Sequence, residues 1–327
     1  MTVSVYNERL ERVGILYNFI SLLWEEHYNS QGSFLLETGL TAGITDILRP
    51  WYFCETERSS CPMVIVSVEV YDNKVTAAGF PATYILTKRA SNMLISNINA
   101  EHAMRCLVAG MTSWDRVTLG VEKGITDVFE GTLSGMSVFE YCEKIGSACD
   151  IGFYMRRSGG YMVFECRKPQ QDVNARYSVM LGNLGDVRYT VSDVGGFNVA
   201  VVKGKDPEGN ITVVTVGDTA KQGNKRFEKF VDAGTPGHSG EEGEPTFLEK
   251  LEAKGLEELA QCGSIKSAQF ELDDDGLEVG DMITAELYGG LAITARIDSV
   301  TLRCQDNAMT RRVTVGSPIK TEKRALI

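Results

Sequence analysis

The chain has 327 residues, which is enough for two or three domains that each build a core of their own. Hydrophobic residues make up 43% and charged residues 24%, the ordinary balance of a globular protein. The net charge of −11 argues against a general nucleic-acid binder, because affinity for phosphates depends on clustered Lys and Arg. No apolar run approaches the roughly 20 residues of a membrane helix, and the N-terminus lacks a basic and then apolar signal, so we expect no membrane insertion and assembly in a cytosol.

The N-terminal run from Val3 to Arg89 is predicted to be mostly strand. Segments 3–7, 13–28 and 32–36 alternate in polarity, and a hairpin is predicted from Met63 to Gly79 with its turn at 72–74. In this hairpin Val64, Val66, Val68 and Val70 are expected on one face. Residues 82–89 are predicted to form one short helix.

Helical periodicity begins after Arg89. Asn99 is a candidate cap for a helix that runs to about Val108, and Ser137 with Glu140 forms a capping box for a second helix. A hairpin is predicted at 153–166, with its turn at 158–160. These elements predict a small α+β insertion at 93–172.

The chain becomes β-rich again from Tyr177. Strands are predicted at 197–203 and 211–216, and the segment 235–244, rich in Gly and Glu, is predicted to be an exposed loop. A helix with a Thr246–Glu249 capping box is predicted at 246–261, with an apolar stripe formed by Leu248, Leu251, Leu256 and Leu259.

Four more strands are predicted at 266–272, 282–288, 291–302 and near 312–315. In the long one the apolar residues are odd-numbered up to Ile297 and even-numbered from Val300. One extra residue near Asp298 and Ser299 explains this slip, and such a bulge lets a strand turn a corner.

Few residues are candidates for chemistry. His102 and Cys106 lie four apart on a predicted helix and supply only two ligands for a metal, while His27 follows two glutamates and fits a solvated or interface position better than a base. His238 falls in the exposed loop. The calcium-like series Glu271, Asp273, Asp275 and Gly276 fails because Met282 stands where the closing glutamate is required, so a turn is predicted instead.

The eight cysteines show no Cys-x-x-Cys spacing and are expected to be reduced and structural; they are Cys54, Cys61, Cys106, Cys142, Cys149, Cys166, Cys262 and Cys304. No phosphate-binding loop, nucleophile elbow or zinc-protease helix occurs in the sequence. We therefore predict no catalytic, cofactor-binding or metal residues, no cofactor, and no enzyme activity.

The order and spacing of several short patterns in the N-terminal run resemble those of the baseplate hub, or tail-tip, proteins of siphophages and prophages. A Val-x-Val-Tyr strand, an Arg-Val-Gly turn, a Ser-Leu-x-Trp strand, a Gly-x-Phe strand and a Gly leading to Leu-x-x-Arg carry the resemblance. The residues are Val3, Val5, Tyr6, Arg12, Val13, Gly14, Ser21, Leu22, Trp24, Gly32, Phe34, Gly79, Leu86 and Arg89. Leu277 to Ile283 resembles the strand entry of the family's second barrel.

The resemblance implies a mostly β, α+β fold similar to the hub of contractile tails: two β-barrel-like tube domains and a small α+β insertion. Residues 1–92 would begin the first barrel, 93–172 form the insertion, 173–236 complete or bridge the first barrel, and 237–327 form a helix and the second barrel.

It also implies a virion structural protein at the tail tip, assembled in the bacterial cytoplasm as a homotrimer. Three subunits with two barrels each would match the sixfold tail tube to a threefold tip. Implied partners are the distal tail protein, the tube ring, the tape measure protein and a tip fibre or lysin. DNA would pass through the lumen without specific binding, and an acidic wall would repel its phosphates. On charge alone, the simpler interpretation is that the excess of acidic residues keeps the protein soluble.

Two other functions stay open at this stage. One is a tail-associated peptidoglycan hydrolase that uses paired carboxylates about 5 to 9 Å apart in the insertion. The other is a carbohydrate-binding adhesion module with an aromatic surface formed by Trp51, Tyr52 or Trp114.

Overall fold

The computed structural model describes residues 1–111, 116–206, 208–236, 246–260, 262–263, 265–272, 276–305 and 308–316. Strands account for about half of the described residues and helices for about a fifth, which confirms the prediction of a mostly β fold. Among the described residues, none of the helices combines the length and the apolar character needed to cross a membrane.

Two compact units divide the chain. Unit 1 comprises Met1–Arg188 and Ala268–Gly316, and the described part of unit 2 lies within Tyr189–Ser267. The four-segment division into barrels and insertion stays a prediction.

The N-terminal strands of unit 1 follow the predicted order, with one correction. Residues 13–28 form two strands instead of one, because the segment 17–20 leaves the sheet between them. The elements are β1 (Val3–Tyr6), β2 (Arg12–Leu16), β3 (Ser21–His27), β4 (Ser33–Gly39), α1 (Ile44–Ile47), β5 (Phe53–Thr56), β6 (Met63–Tyr71), β7 (Lys74–Pro81) and a 3₁₀ helix (Ala82–Lys88).

The middle of unit 1 is an α+β layer in which both predicted caps form. The Asn99 side chain accepts from the His102 N–H, and Ser137 and Glu140 complete their capping box. The elements are β8 (Ala90–Ser91), β9 (Ile95–Asn99), α2 (Ala100–Ala109), β10 (Val117–Leu119), β11 (Val128–Leu133), β12 (Met136–Ser137), α3 (Val138–Cys149), β13 (Gly152–Ser158) and β14 (Tyr161–Arg167).

The second half of the chain supplies both units with strands. Unit 2 contains a three-stranded sheet in the order β18-β17-β19. The elements are β15 (Gln170–Ser178), β16 (Leu184–Ser192), β17 (Val199–Lys205), β18 (Ile211–Gly217), β19 (Glu228–Asp232), α4 (Phe247–Ala260), β20 (Ile265–Leu272), β21 (Asp281–Glu286), β22 (Ala292–Gln305) and β23 (Ala308–Gly316).

One large sheet connects the N-terminal and C-terminal strands. Its order is β16-β20-β23-β22-β3-β4-β7-β6-β5-β1-β2, and β21 pairs with both β15 and β22. The strand β22 therefore serves two groups: its first half pairs with β21, and its second half pairs with β3 and β23.

The predicted bulge in β22 is confirmed. Ile297 pairs with Val315 and Ser299 pairs with Thr314, which leaves Asp298 as the extra residue. Because side chains alternate along a strand, this one residue moves the apolar set from odd to even positions.

A second bulge corrects the prediction for the β6–β7 hairpin. Ile65 pairs with Gly79 and Ser67 with Ala78, so Val66 is extra. The four valines therefore do not share a face: Val64 belongs to the core beneath the helices, whereas Val68 packs on the core enclosed by the sheet. The predicted turn does form, with Asp72 and Asn73 at φ 49° and 57°, the left-handed conformation that a tight hairpin requires.

Strands β1, β5 and β6 are covered on both faces. Val3, Val5 and Cys54 point into the sheet core around Trp24 and Leu36, whereas other residues of the same strands contact the helices. The latter are Tyr6, Phe53 and Val64, which pack with α2, α3 and β13. The α+β layer is thus fixed to the back of these strands by apolar burial, at roughly 25 cal/mol per Å².

In unit 2, helix α4 covers one face of the sheet but uses a different stripe from the predicted one. The Thr246–Glu249 capping box is present. Leu251 is fully buried and Leu259 partly, but Leu248 and Leu256 are 50% and 53% exposed. Gly255 causes the change: a Cβ there would lie 2.5 Å from both Val202 and Val216, so the helix approaches the sheet through its glycine.

Candidate junction site and structural relatives

Three parts of unit 1 meet at Tyr28, which directly follows β3. Its side chain is 3% exposed, and its hydroxyl donates to the carbonyl oxygens of Asp150 (3.1 Å) and Arg167 (3.0 Å). Its backbone N–H donates to the Asp298 carbonyl at 2.9 Å. Burial raises the pKa of the Tyr28 hydroxyl, so the group stays a neutral donor. One residue therefore ties the α+β layer and β22 to β3, through its side chain and its backbone respectively.

Two glycines make room for the Tyr28 ring. A Cβ on Gly152 would lie 2.3 Å from the ring, and one on Gly280 would lie 2.8 Å from it. Gly280 also has φ 96°, a conformation that favours glycine. The glycine of the strand entry at 277–283 is therefore required both for the turn before β21 and for contact with Tyr28.

Arg296 lies over a face of this ring. Its guanidinium lies 4.0 Å from the ring centroid, donates to Asp298 at 2.8 Å through Nε, and forms an ion pair with Asp150. Asp298, the bulge residue, is 4% exposed, and burial raises the pKa of its carboxyl although Arg296 opposes this shift. The bulge thus places a buried acid where the cation can bind it.

Arg167 connects β14 to the loop before β21. It contacts Glu278 at 3.2 Å and Asp281 at 2.9 Å. We call Tyr28, Asp150, Arg167, Arg296 and Asp298 the junction cluster. It joins β3, the end of α3, the end of β14 and the bulge of β22, where the two strand groups meet.

A small cavity of about 40 Å³ lies beside the cluster and is lined by Glu26, His27, Cys61, Glu278 and neighbouring residues. Trp24 Nε1–H donates to Glu26 at 3.2 Å, and the Ser59 hydroxyl donates to the same carboxylate oxygen. Burial raises the pKa of Glu26 to about 7, against the effect of these donors. The cavity holds about three waters at most, which is far too small for a sugar or peptide substrate.

A second polar contact fixes the α+β layer to the first strands. Arg157 donates to both carboxylate oxygens of Glu55 at 2.8 and 2.9 Å and lies 4.0 Å from the centroid of the Tyr6 ring. Bidentate geometry of this kind gives directional strength that a point charge lacks.

The predicted candidates for chemistry do not assemble. His27 is partly buried beside Glu25 at 3.4 Å, and His102 lies 3.4 Å from Cys106 on exposed helix surface. Within the ranges that the structure describes, no group of three metal-ligating side chains is placed to hold an ion. His238, Trp114 and residues 273–275 lie outside the described residues. That the chain has no catalytic, cofactor or metal residues stays a prediction.

The remaining residues singled out by sequence have structural positions. All eight cysteines are free thiols, and burial raises the pKa of Cys142 and Cys166, so these two stay protonated in the core. Trp51 packs against Tyr84 with ring centroids 6.3 Å apart, so part of the surface of its ring is covered within the fold. The sequence pattern did not single out the junction cluster, although its one local sign, the bulge at Asp298, was predicted.

The model of the Siphovirus ReqiPepy6 Gp37-like protein family matches residues 70–317. The chain belongs to this family. These Gp37-like proteins are siphovirus tail proteins, so the predicted membership of a tail protein family is confirmed. The prediction of no enzyme activity is also confirmed, since the family groups structural tail proteins. A search of curated proteins finds no match.

Solved structures of prophage tail proteins share the Gp37-like fold over nearly their whole length. The 43 kDa tail protein of prophage MuSo2 from Shewanella oneidensis aligns at TM-score 0.62 and 11% identity, covering 96% of this chain and 98% of the other. The tail protein from Neisseria meningitidis MC58 aligns at TM-score 0.60 and 11% identity, covering 97% and 96%.

Prophage tail protein gp18 from Listeria monocytogenes EGD-e gives TM-score 0.55 at 11% identity, with 98% of this chain and 96% of that chain covered. At such identities the likeness shows the fold alone. The predicted hub-like fold class is confirmed.

Proposed function

We propose that this Gp37-like protein is the hub that closes the tail tube and adapts its sixfold symmetry to a threefold tip. Three copies would form a ring around the tube axis. Each copy would contribute two β systems, so that the ring offers six similar edges to the last tube ring.

The course of β22 is the observation that carries this proposal. One continuous strand of 14 residues gives its first half to the β15–β21 group and its second half to β3 and β23. Two adjoining strand groups therefore exist within one compact unit, and the junction cluster fixes the bend between them. A subunit that must offer two similar edges at a set angle requires a rigid connection between its strand groups. We call this connection, formed by β22 and the junction cluster, the seam.

Charge supports a passive lumen. The chain carries a net charge of −11, and an acidic wall lets DNA pass because it repels phosphates instead of binding them. The proposed partners are the distal tail protein, the tube ring, the tape measure protein, and a fibre or lysin below the hub.

Assembly on tails tests this function. Tails would be built from the tube and distal tail proteins with and without this chain, and their ends would be imaged by electron microscopy. With the chain present, the tube end should carry a closed threefold ring. Tubes that end in the same way with and without the chain would overturn the proposal.

The matched variants act on the seam. Arg296→Met removes the cation that binds the bulge and should reduce the number of capped ends. Lys221→Met removes a half-exposed cation of unit 2 whose ammonium group pairs with its neighbour Asp218 at 3.2 Å, and it should leave capping unchanged. Equal capping by both variants would contradict the role given to the bend of β22.

A further inference from the structure

The strand β18 of unit 2 has an open edge. Within the part of the chain that the structure describes, β18 pairs with β17 alone. Asp218 N–H donates to the Asn198 carbonyl at 2.8 Å, and Asp206 N–H donates to the Asn210 carbonyl at 3.0 Å. Even-numbered residues of this segment therefore bond to β17, because backbone direction alternates along a strand. The N–H and C=O groups of residues 211, 213, 215 and 217 point outward.

This edge carries no charge. The sequence of β18 is Ile-Thr-Val-Val-Thr-Val-Gly, with Ile211 and Val213 exposed by 59% and 55%. The opposite edge strand, β19, contains Glu228, Lys229 and Asp232. Natural sheets protect free edges with charged residues or proline, and an unprotected apolar edge is a template for another strand. Only the β19 edge has this protection, which indicates that the β18 edge is covered by a strand.

Helix α4 presents leucines on the same side. Lys229 of β19 binds Glu258 at 2.9 Å, which marks the β19 side of the helix. A Cβ at Gly217 would lie 2.6 Å from Leu259, which marks the β18 side. With 100° between successive residues, Leu248 and Leu256 project on the side of Leu259. Two half-exposed leucines thus stand beside the open edge.

We propose that β18 pairs antiparallel with β18 of a second copy of this chain, about a twofold axis through Val214. Full overlap of the seven residues places Val213 opposite Thr215 of the second copy. The outward N–H and C=O groups then bond to one another, and the two sheets become one of six strands.

The position of α4 fits this occupant. Gly255 is equally close to Val202 of β17 and Val216 of β18, so the helix axis lies between these two strands. Strands are spaced by about 4.8 Å, so the two copies of α4 would lie about 9.6 Å apart across the axis. Packed helices are separated by about 8–10 Å. Leu256 of both copies would lie between them, together with Glu249 and Glu252, which project on the same side of the helix.

The pairing should depend on salt. Two chains that each carry −11 repel one another, and Glu249 and Glu252 of the two α4 helices would approach each other, so added salt should strengthen the contact. The β18 edge is uncharged and self-complementary, as a twofold contact must be. The pairing uses only unit 2 and goes beyond the proposed ring: a single chain would become a pair, and a trimer would become six copies.

Light scattering from micromolar to near-millimolar concentration tests the pairing on the full chain. The molar mass should double with concentration, from one or three times the 35.9 kDa chain mass. Val213→Lys places a charge on the edge without touching the core, and Leu256→Glu does so on the helix. Each variant should raise the concentration at which half of the chains are paired at least tenfold. The circular dichroism spectrum and the melting temperature should stay unchanged.

Phe230→Lys is the matched control, since Phe230 is 63% exposed on the same sheet but on the protected β19 edge. This variant should double in mass like the wild type. Absence of any doubling in the wild type would overturn the proposal, as would doubling that survives both edge variants. Loss of doubling in Phe230→Lys would assign the contact to the sheet face and would also overturn it.

Discussion

The guanidinium of Arg296 stacks on the ring of Tyr28, 4.0 Å from the ring centroid, although the two residues lie near opposite ends of the chain. Tyr28 directly follows β3, and Arg296 lies on β22, the strand that pairs with both strand groups. The contact therefore fixes β22 to the end of β3. Neither residue is singled out by a sequence motif. Their contact is the centre of the seam that the proposed hub requires.

Tyr28 and Arg296 should be energetically coupled. Tyr28→Phe removes the hydroxyl that donates to two carbonyls and should lower the free energy of unfolding by about 1–2 kcal/mol. Tyr28→Leu combined with Arg296→Met in a double-mutant cycle should give a coupling of about 1 kcal/mol, since a partly desolvated cation–π contact is of that size. Urea unfolding followed by tryptophan fluorescence measures both values, and additive effects would contradict the coupling.

Gly152→Ala should be strongly destabilising. The new methyl group would lie 2.3 Å from the Tyr28 ring, which is buried and stacks with Arg296. Overpacking of this kind costs about 1–3 kcal/mol, and calorimetry should show a lower melting temperature. Gly39→Ala is the control, because nothing lies within 4 Å of its Cβ position and its strand conformation suits alanine. Equal melting temperatures for the two variants would contradict the packing described.

Glu26 should make stability depend on pH. Burial raises its pKa from 4.5 to about 7 in the folded state, so the folded chain binds more protons than the unfolded chain between these values. Its contribution to stability is therefore complete below pH 4.5 and is lost as the pH rises through 7. Glu26→Gln should be more stable than the wild type at pH 8, by on the order of 3 kcal/mol, with little difference at pH 4.

Glu25, one residue earlier, provides the opposite control. The hydrogen bond with His27 holds the pKa of Glu25 below its usual range, although burial opposes this. Its contribution is therefore present above its ordinary pKa and lost in acid. Glu25→Gln should lower stability at neutral pH. Chemical denaturation at several pH values distinguishes the two, and a pH-independent difference between wild type and Glu26→Gln would refute the buried acid.

The stripe of α4 can be tested by paired alanine variants. Leu251→Ala removes a fully buried side chain and should cost about 2–4 kcal/mol in unit 2. Leu256→Ala should change the stability of the dilute chain by about 0.5 kcal/mol or less, because that side chain is 53% exposed. Hydrogen exchange of the α4 amides reports on unit 2 directly. A larger loss of stability in Leu256→Ala than in Leu251→Ala would instead support the apolar stripe predicted from the sequence.

Local signals in the sequence predicted much of the fold. The capping boxes at Ser137 and Thr246 and the β22 bulge depend on residues a few positions apart, so their patterns are complete within one segment. The hub-like fold is predicted by the resemblance of short motifs to those of tail hub proteins.

Long-range packing explains what could not be predicted. The stripe of α4 depends on Gly255 meeting Val202 and Val216, and the junction cluster unites residues from four distant segments. The Val66 bulge leaves no mark in the polarity pattern, because Val64 on one side of it is buried in one core and Val68 on the other side is partly buried against another.

The most direct test of the hub account is the symmetry and copy number of this chain on assembled tails. Cryo-electron microscopy of the distal tube end should show three copies in one closed ring on the tube axis, each presenting two strand groups that meet at the bend of β22. Any other copy number in the ring, or a position away from the tube end, would contradict the account.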